Sequence, residues 1–407
     1  MSIIDLSGDW KLGFFTEKSE NNYTDTLHLP GTVSEQKKSP ATGERALGYL
    51  TDPYAYKGQV FVQKEIEIEP NENKKYYLEL ERTRITTLWI NDNLIGELNS
   101  LTGRHIYDIT NYIEKNMTIT IKLDNANYPT GGGHLTSPDT QTNWLGICGF
   151  IGIRVKDKNH LDNTQIFSEF SSSKIILKIT TELKGDENKV FIFEIPDILS
   201  KEKELKPGEN TVAFILPPEV KLWSDTSPNL YDLTISCKDN PLNSETFTIG
   251  FRNFKVNQTH FYINDQKVFL RGKHDGLIFP ETGYAPTDEQ SWLKVMSTAK
   301  KYGINHYRFH TCCPPDAAFK VADKLGIYMS PELPFWGTIE SSDNEAQKNE
   351  QNYLINEGFE ISKYFGNHVS FVMMSMGNEL WGDEKRIDEI ISMLKKKRLS
   401  SFIYRRF

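Results

Sequence analysis

Glu379 follows an apolar run, Val369 to Met376, within Ser375-Met376-Gly377-Asn378-Glu379-Leu380. That run reads as a buried parallel strand, and an Asn-Glu pair at its carboxyl end falls where α/β barrels gather their reactive side chains. A carboxyl placed there can give a proton to a leaving oxygen and take one back from water. Asn378 beside it offers an amide to a substrate hydroxyl. The ends of three earlier strands also carry polar groups: His274 and Asp275 at the first, Arg308 and His310 at the second, Glu332 at the third. Arg308 reads either as a ligand contact or as an ion-pair partner of Glu332. His310 reads either as part of a pocket or as a hydrogen-bonded core histidine. Trp336 and Trp381, expected on flanking loops, would present flat apolar faces to a ring-shaped ligand.

The elements that must position these residues alternate between strand and helix. Val268 to His274 reads as the first strand. Thr287-Asp288-Glu289-Gln290 has capping-box form and precedes Trp292, Val295, Met296, Ala299 and Tyr302 at helical spacing, with Gly303 as the stop. Ile304 to His310 reads as the second strand, Pro314-Pro315 as the start of a helix closed by Gly326, and Ile327 to Leu333 as the third strand. A third helix is expected over roughly Glu350 to Phe365, then the Glu379 strand, then a fourth helix marked by Ile387, Ile390, Ile391 and Leu394. Four βα units predict a parallel sheet and amount to half of an eightfold barrel.

Before this region the periodicity is that of strands. Tyr76, Leu78 and Leu80, then Ile119, Ile121 and Leu123, alternate with residues of the opposite face, and Asn91-Asp92-Asn93 marks a hairpin. The expected organisation is a jelly roll over 1–155, an immunoglobulin-like β-sandwich over 156–256, and the first half of a (β/α)8 TIM barrel over 257–407. A chain of 407 residues is too long for one core. Its net charge of -8 lacks the basic footprint of a nucleic-acid binder. No apolar run reaches membrane-spanning length, so neither nucleic acid nor membrane is an expected partner. Cys148, Cys237, Cys312 and Cys313 show no metal-ligand spacing, and no metal or organic cofactor is expected. Cys313 beside His310 invites comparison with a nucleophile, but packing is the simpler role. The start, Met1-Ser2-Ile3-Ile4, has no signal-peptide form and implies a cytoplasmic protein if Met1 is the native start.

Several segments resemble glycoside hydrolase family 2, the group of β-galactosidases, β-glucuronidases and β-mannosidases, over nearly the whole chain. They are Asp5-Leu6-Ser7-Gly8-Asp9-Trp10, Gln141-Thr142-Asn143-Trp144-Leu145-Gly146-Ile147, Leu222-Trp223-Ser224 with Ser227-Pro228-Asn229-Leu230-Tyr231, and Gly250-Phe251-Arg252 with Phe261-Tyr262-Ile263-Asn264 and Leu270-Arg271-Gly272. The resemblance implies a retaining, exo-acting β-glycosidase, galactoside being favoured over glucuronide, with carbohydrate as partner. Glu379 would be its general acid/base, Asn378 would bind the hydroxyl next to the scissile bond, and Arg308, His310, His274, Asp275 and Trp336 would shape the substrate pocket. Where the family often has Asn-Arg-His-Glu, this chain has Gly272-Lys273-His274-Asp275.

The family's nucleophile is a glutamate near the seventh barrel strand, so the expectation is that it is absent from this chain, with another chain or an upstream carboxylate such as Glu332 or Asp275 as the substitute. Retention needs two carboxyls about 5 Å apart. The segment Lys395 to Phe407, with six basic residues, is expected to follow the loss of helical pattern and to mark an interrupted reading frame. The alternative is a non-catalytic, truncated carbohydrate-binding homologue whose open sheet edge dimerisation would cover.

Overall fold

The computed structural model describes residues 2–42, 52–131, 133–137, 143–171, 174–341, 344–397 and 402–404. Gln141 and Thr142, and most of the basic tail, lie outside the described residues. Among the described residues no helix is long and apolar enough to cross a membrane.

The amino-terminal region is built mainly from two antiparallel sheets, with a two-stranded sheet pairing Gly31–Thr32 and Gly146–Ile147 beside them. One has four strands, in the order Ser2–Asp5, Ile151–Asp157, Lys74–Leu80 and His105–Asp108; the other has six, with Gln59–Glu67 and Asn116–Asp124 at its centre. Alternate residues of Asn116–Asp124, namely Met117, Ile119, Ile121 and Leu123, enter the core between the sheets, which is why the period of two was legible. A second sandwich follows, with sheets of three and four antiparallel strands, and its core holds Leu177, Ile179, Phe191, Phe193, Leu233 and Ile235. No disulfide links its sheets; all four cysteines are buried and free.

The chain then forms a small meander, Phe254–Asn257, His260–Ile263 and Gln266–Val268, before the parallel strands begin. This corrects the first-strand expectation. Asn264 and Asp265 both have left-handed φ, 51° and 67°, which closes a tight hairpin and claims Val268 for the meander. The parallel array starts at Gly272–Asp275, whose preceding Arg271 N–H is held by Asn305 Oδ1 at 2.7 Å.

Gly272–Asp275, His306–Phe309 and Tyr328–Ser330 pair in parallel and in chain order. Parallel bridges Met329–Phe371 and Glu332–Ser375 continue the array to Met373–Ser375. Met373–Ser375 pairs in parallel with Phe402–Tyr404. The tail therefore contains a strand where none was expected, and the preceding helix runs on to Lys397 rather than fading after Leu394.

Four helices, α1 Glu289–Lys301, α2 Asp316–Leu325, α3 Glu345–Phe365 and α4 Glu384–Lys397, cover the outer face. The N-cap of α1 is Asp288 rather than Thr287: its carboxylate accepts from Ser291 N at 2.8 Å, as an anion at the positive end of a helix should. Thr287 instead donates to Cys148 O. Gly326, at φ 69°, caps α2 in the left-handed conformation that only glycine enters without cost. Trp292 of α1 is fully buried, with Tyr307 and Phe309 beside it in the helix-facing core, a burial worth about 2–3 kcal/mol per large side chain. Because side chains alternate along a strand, His306 and Arg308 face the other way, into the space the strands curve around.

Candidate active site

Arg308 is the hub. Its Nε donates to Glu332 Oε1 at 2.7 Å and its Nη2 donates to Asn378 Oδ1 at 2.8 Å, so one guanidinium ties the second, third and fourth strand ends together. Glu332 is buried, and its second oxygen accepts from Thr311 N at 2.9 Å. Burial pushes its carboxyl up, while Thr311 and Arg308 oppose the rise. The ion-pair reading of Arg308 thus describes its Nε, and the amide of Asn378 takes the other side of the fork.

Trp336 and Trp381 do not lie on loops. Trp336–Ile339 and Asn378–Gly382 form a two-stranded parallel sheet in which Trp336 pairs with Asn378. The turn before it is forced by Gly377, at φ 132°, where an added Cβ would lie 2.1 Å from Phe335 O. Asn378 N–H is fixed by that same carbonyl at 3.0 Å. Glu379 itself adopts φ 45°, a conformation rare outside glycine, and is exposed. Uncommon backbone at a candidate acid is the kind of strain that a surrounding structure must hold in place.

His310 sits edge-on to three rings: His134 at 4.6 Å, His274 at 4.9 Å and Trp336 at 5.5 Å between centroids. Its Nδ1 lies 2.9 Å from Nδ1 of His134. Burial first, then His134, His274 and Arg308, bring His310 down to about 4; burial and His274 also lower His134. His274 is exposed and is lowered by burial of part of its ring and by Arg308. Asp275 is turned to support, accepting from Leu277 N at 2.8 Å and pairing with Lys273. His306, deeper along the second strand, bonds Ser330 Oγ at 2.9 Å and is held near 4 by burial. A cavity of about 480 Å³ opens between the meander and these strands, lined by Phe261, Phe269, His274, His306 and Arg308.

His134 was not anticipated. It comes from the amino-terminal β region, on the loop that begins after Asn116–Asp124. Thr311 Oγ1 accepts from the His134 backbone N–H at 3.0 Å, Thr130 Oγ1 donates to Pro334 O, and a Cβ at Gly133 would lie 2.7 Å from Pro334. The available signal was the run Gly131-Gly132-Gly133 directly before a histidine, which suits close approach of backbone to another surface. Two buried arginines hold the same region: Arg84 stacks on Trp144 and donates to Trp144 O and Leu135 O, and Arg82 donates to Cys313 O at 2.8 Å. Cys312 and Cys313 are fully buried, and burial pushes the Cys312 thiol well up, which suits packing rather than nucleophilic attack. Among the described residues no group of three or more His, Cys, Asp or Glu is arranged to hold a metal ion.

A mostly β chain that carries polar strand ends around a parallel array is the architecture of a multidomain barrel protein. Two models of one family match it: Glycosyl hydrolases family 2 over residues 159–252, and the TIM barrel domain of Glycosyl hydrolases family 2 over residues 254–403. The chain belongs to glycosyl hydrolase family 2. It is similar to a putative β-glucuronidase of Formosa agariphila, 26% identical over 78% of this chain and 39% of the relative. It is also similar to a β-galactosidase large subunit of Latilactobacillus sakei, 24% identical over 72% of this chain and 49% of the relative. The chain therefore spans about half or less of the length of these relatives. Among solved structures, an FMN-binding β-glucuronidase from Facaelibacterium prausnitzii shares the fold with a TM-score of 0.77 at 18% identity, over 98% of this chain and 63% of that one. A β-glycosidase from Bacteroides vulgatus does so with a TM-score of 0.79 at 18% identity, over 99% and 54%.

Proposed function

We propose that this chain is part of a retaining, exo-acting β-glycosidase that releases a terminal β-linked sugar, β-galactosidase-like in its substrate, with Glu379 as general acid/base. The relatives named above as β-galactosidase and β-glucuronidase support the reaction class. The observation that carries the residue assignment is the Arg308 fork, which fixes Asn378, the residue before Glu379, opposite Trp336, whose ring in turn lies edge-on to His310. In the first step the Glu379 carboxyl protonates the glycosidic oxygen as its bond to the anomeric carbon breaks and a carboxylate nucleophile takes the sugar. In the second, Glu379 as carboxylate removes a proton from the water that displaces the nucleophile.

We assign the nucleophile to neither upstream candidate. Both oxygens of Glu332 are engaged, by Arg308 and Thr311, and the Asp275 carboxylate is engaged by Lys273 and Leu277 N. The division at 155/156 and 256/257 belongs to the same proposal: a jelly roll that lends a loop to the pocket, a sandwich that braces the barrel, and the barrel region that carries Asn378 and Glu379. The test is hydrolysis of aryl β-galactoside and aryl β-glucuronide by the purified protein, with the anomer of the first-formed product read by NMR. Glu379→Gln should lower turnover by about 10² to 10⁴. Unchanged turnover in that variant would sink the assignment.

A further inference from the structure

A guanidinium taken out of water needs an anion or a full set of acceptors, and Arg82 has neither among the described residues. Its side chain is 4% exposed, and Nη2 donates to the neutral carbonyl of Cys313 at 2.8 Å. Nη1 has no hydrogen-bond partner, and no carboxylate pairs with the group. Arg104, Arg154 and Arg308 differ in this respect: the first two face the buried carboxylate of Glu79 and the third that of Glu332. Arg82 reaches its position through a left-handed backbone, φ 53°, that arginine seldom adopts, with its carbonyl accepting from Cys148 N at 2.9 Å.

Arg82 lines a cleft of about 1180 Å³ where the three regions meet, together with Thr102 and Arg104 of the amino-terminal region, Gln165 of the central sandwich, and Pro315 and His368 of the barrel region. Ten Lys and Arg side chains line this cleft against nine Asp and Glu. His368, which burial lowers but Asp323 and Asp316 push up to about 10, adds a further cation. The cleft is therefore net positive on a chain whose net charge is -8. The carboxylates around Arg104 are engaged: Glu79 by Arg104 and Arg154, Asp316 by His368 and Lys320, while Glu81 accepts from Phe150 N at 3.3 Å. The loop whose Cys313 carbonyl holds Arg82 leads directly into α2, which starts in the same cleft with Pro315 as its N-cap and no side chain capping it. Free N–H groups and the positive end of the helix dipole favour an anion there.

We propose that this cleft is a binding site for a small oxyanion of the phosphate class, held by Arg82 between the amino-terminal region and the start of α2. The planar guanidinium keeps its Nη2 on Cys313 O and turns its second arm to the anion, a geometry that suits an oxyanion better than a spherical halide. Binding supplies the missing counter-charge and joins the amino-terminal region to the loop that follows His310. The site is separate from the Asn378-Glu379 pair and does not depend on the glycosidase reading.

The experiment is equilibrium dialysis of the full chain against radiolabelled inorganic phosphate at pH 7.5, with ionic strength held constant by sodium chloride. The expected result is one phosphate per chain with a Kd of about 1 mM, the strength of a few charge-assisted hydrogen bonds less the cost of association. At about 20 mM phosphate the thermal midpoint should rise by about 2 °C over the chloride control. Arg82→Gln keeps a donor for Cys313 O but removes the charge, and should weaken binding at least about tenfold and abolish the phosphate-dependent rise. Lys324→Gln, which removes an exposed lysine of the same cleft, should leave the Kd within about twofold. Should Arg82→Gln fail to fold, Arg82→Lys keeps the charge without the planar fork and should bind at least about threefold more weakly than the wild type. No saturable binding to the wild type below about 20 mM overturns the proposal. Undiminished binding in Arg82→Gln, or in Arg82→Lys where that variant stands in, overturns the assignment to Arg82. An equal loss in Lys324→Gln marks general attraction to a positive cleft and overturns the site as well.

Discussion

Glu357 on α3 provides the sharpest test of the electrostatics. Its carboxyl is fully buried where α3 meets the loop before His105–Asp108 of the amino-terminal region, accepting from Leu101 N at 3.1 Å and from Thr102 Oγ1. Among the described residues no cation forms an ion pair with it, and burial pushes it from an ordinary 4.5 to about 7. Its folded pKa lies above its unfolded one, so the stability it contributes is fully present below about pH 4.5 and is lost as pH rises through about 7. At about 1.36 kcal/mol per unit the whole shift amounts to about 3 kcal/mol, of which roughly 2–3 falls between pH 5 and pH 8. Glu357→Gln keeps an acceptor oxygen for Leu101 and Thr102 and removes the ionisation. Urea unfolding followed by tryptophan fluorescence at pH 5, 6, 7 and 8 should show the variant gaining on the wild type by that amount as pH rises. Other titrating groups cancel in the difference between the two proteins. A difference that stays flat across this range would refute the claim that this buried carboxyl resists ionisation.

Two further outcomes follow from the site. Arg308→Leu leaves Glu332 buried without its cation and should destabilise the barrel region by about 3–5 kcal/mol, read as a lowered urea midpoint; the double variant Arg308→Leu/Glu332→Leu should recover much of that loss. Gly377→Ala places a Cβ against Phe335 O at a positive φ and should lower the thermal midpoint while shifting the amide signals of Asn378 and Glu379 in NMR spectra; an unperturbed spectrum would show that the turn accepts a side chain.

Local order was largely readable from the sequence. The helices announced themselves through period and punctuation, because Gly303 and Gly326 end them for backbone reasons and Trp292 and Met296 face inward for burial reasons. The Arg308–Glu332 pair was visible as one of two readings because adjacent parallel strands place their ends side by side. What stayed hidden depends on contacts distant in sequence. His134 and His310 stand 176 positions apart, and nothing local to either reports the other. Trp336 and Trp381 were expected on loops since a four-residue parallel pair has too few residues to show a period. The Asp288 cap lost to Thr287 in the motif reading because both residue types cap well and only geometry separates them.

The segment 366–372, which leads into the Asn378-Glu379 strand, is held from several sides at once. Asn367 exchanges hydrogen bonds with Ile166 N and Thr164 O of the central sandwich, and Arg252 at the end of that sandwich donates to Val369 O and Phe371 O. His368 lies between Asp323 and Asp316 of α2; burial alone would lower it, but the two carboxylates outweigh burial and push it up to about 10. Asp323 also accepts from Ser370 N at 2.8 Å. The middle unit therefore helps to hold this segment in place rather than serving as a passive spacer. A barrel region cut from this chain and grafted elsewhere would arrive with Asn378 and Glu379 on an unmoored strand, so the geometry at these two residues depends on all three regions together.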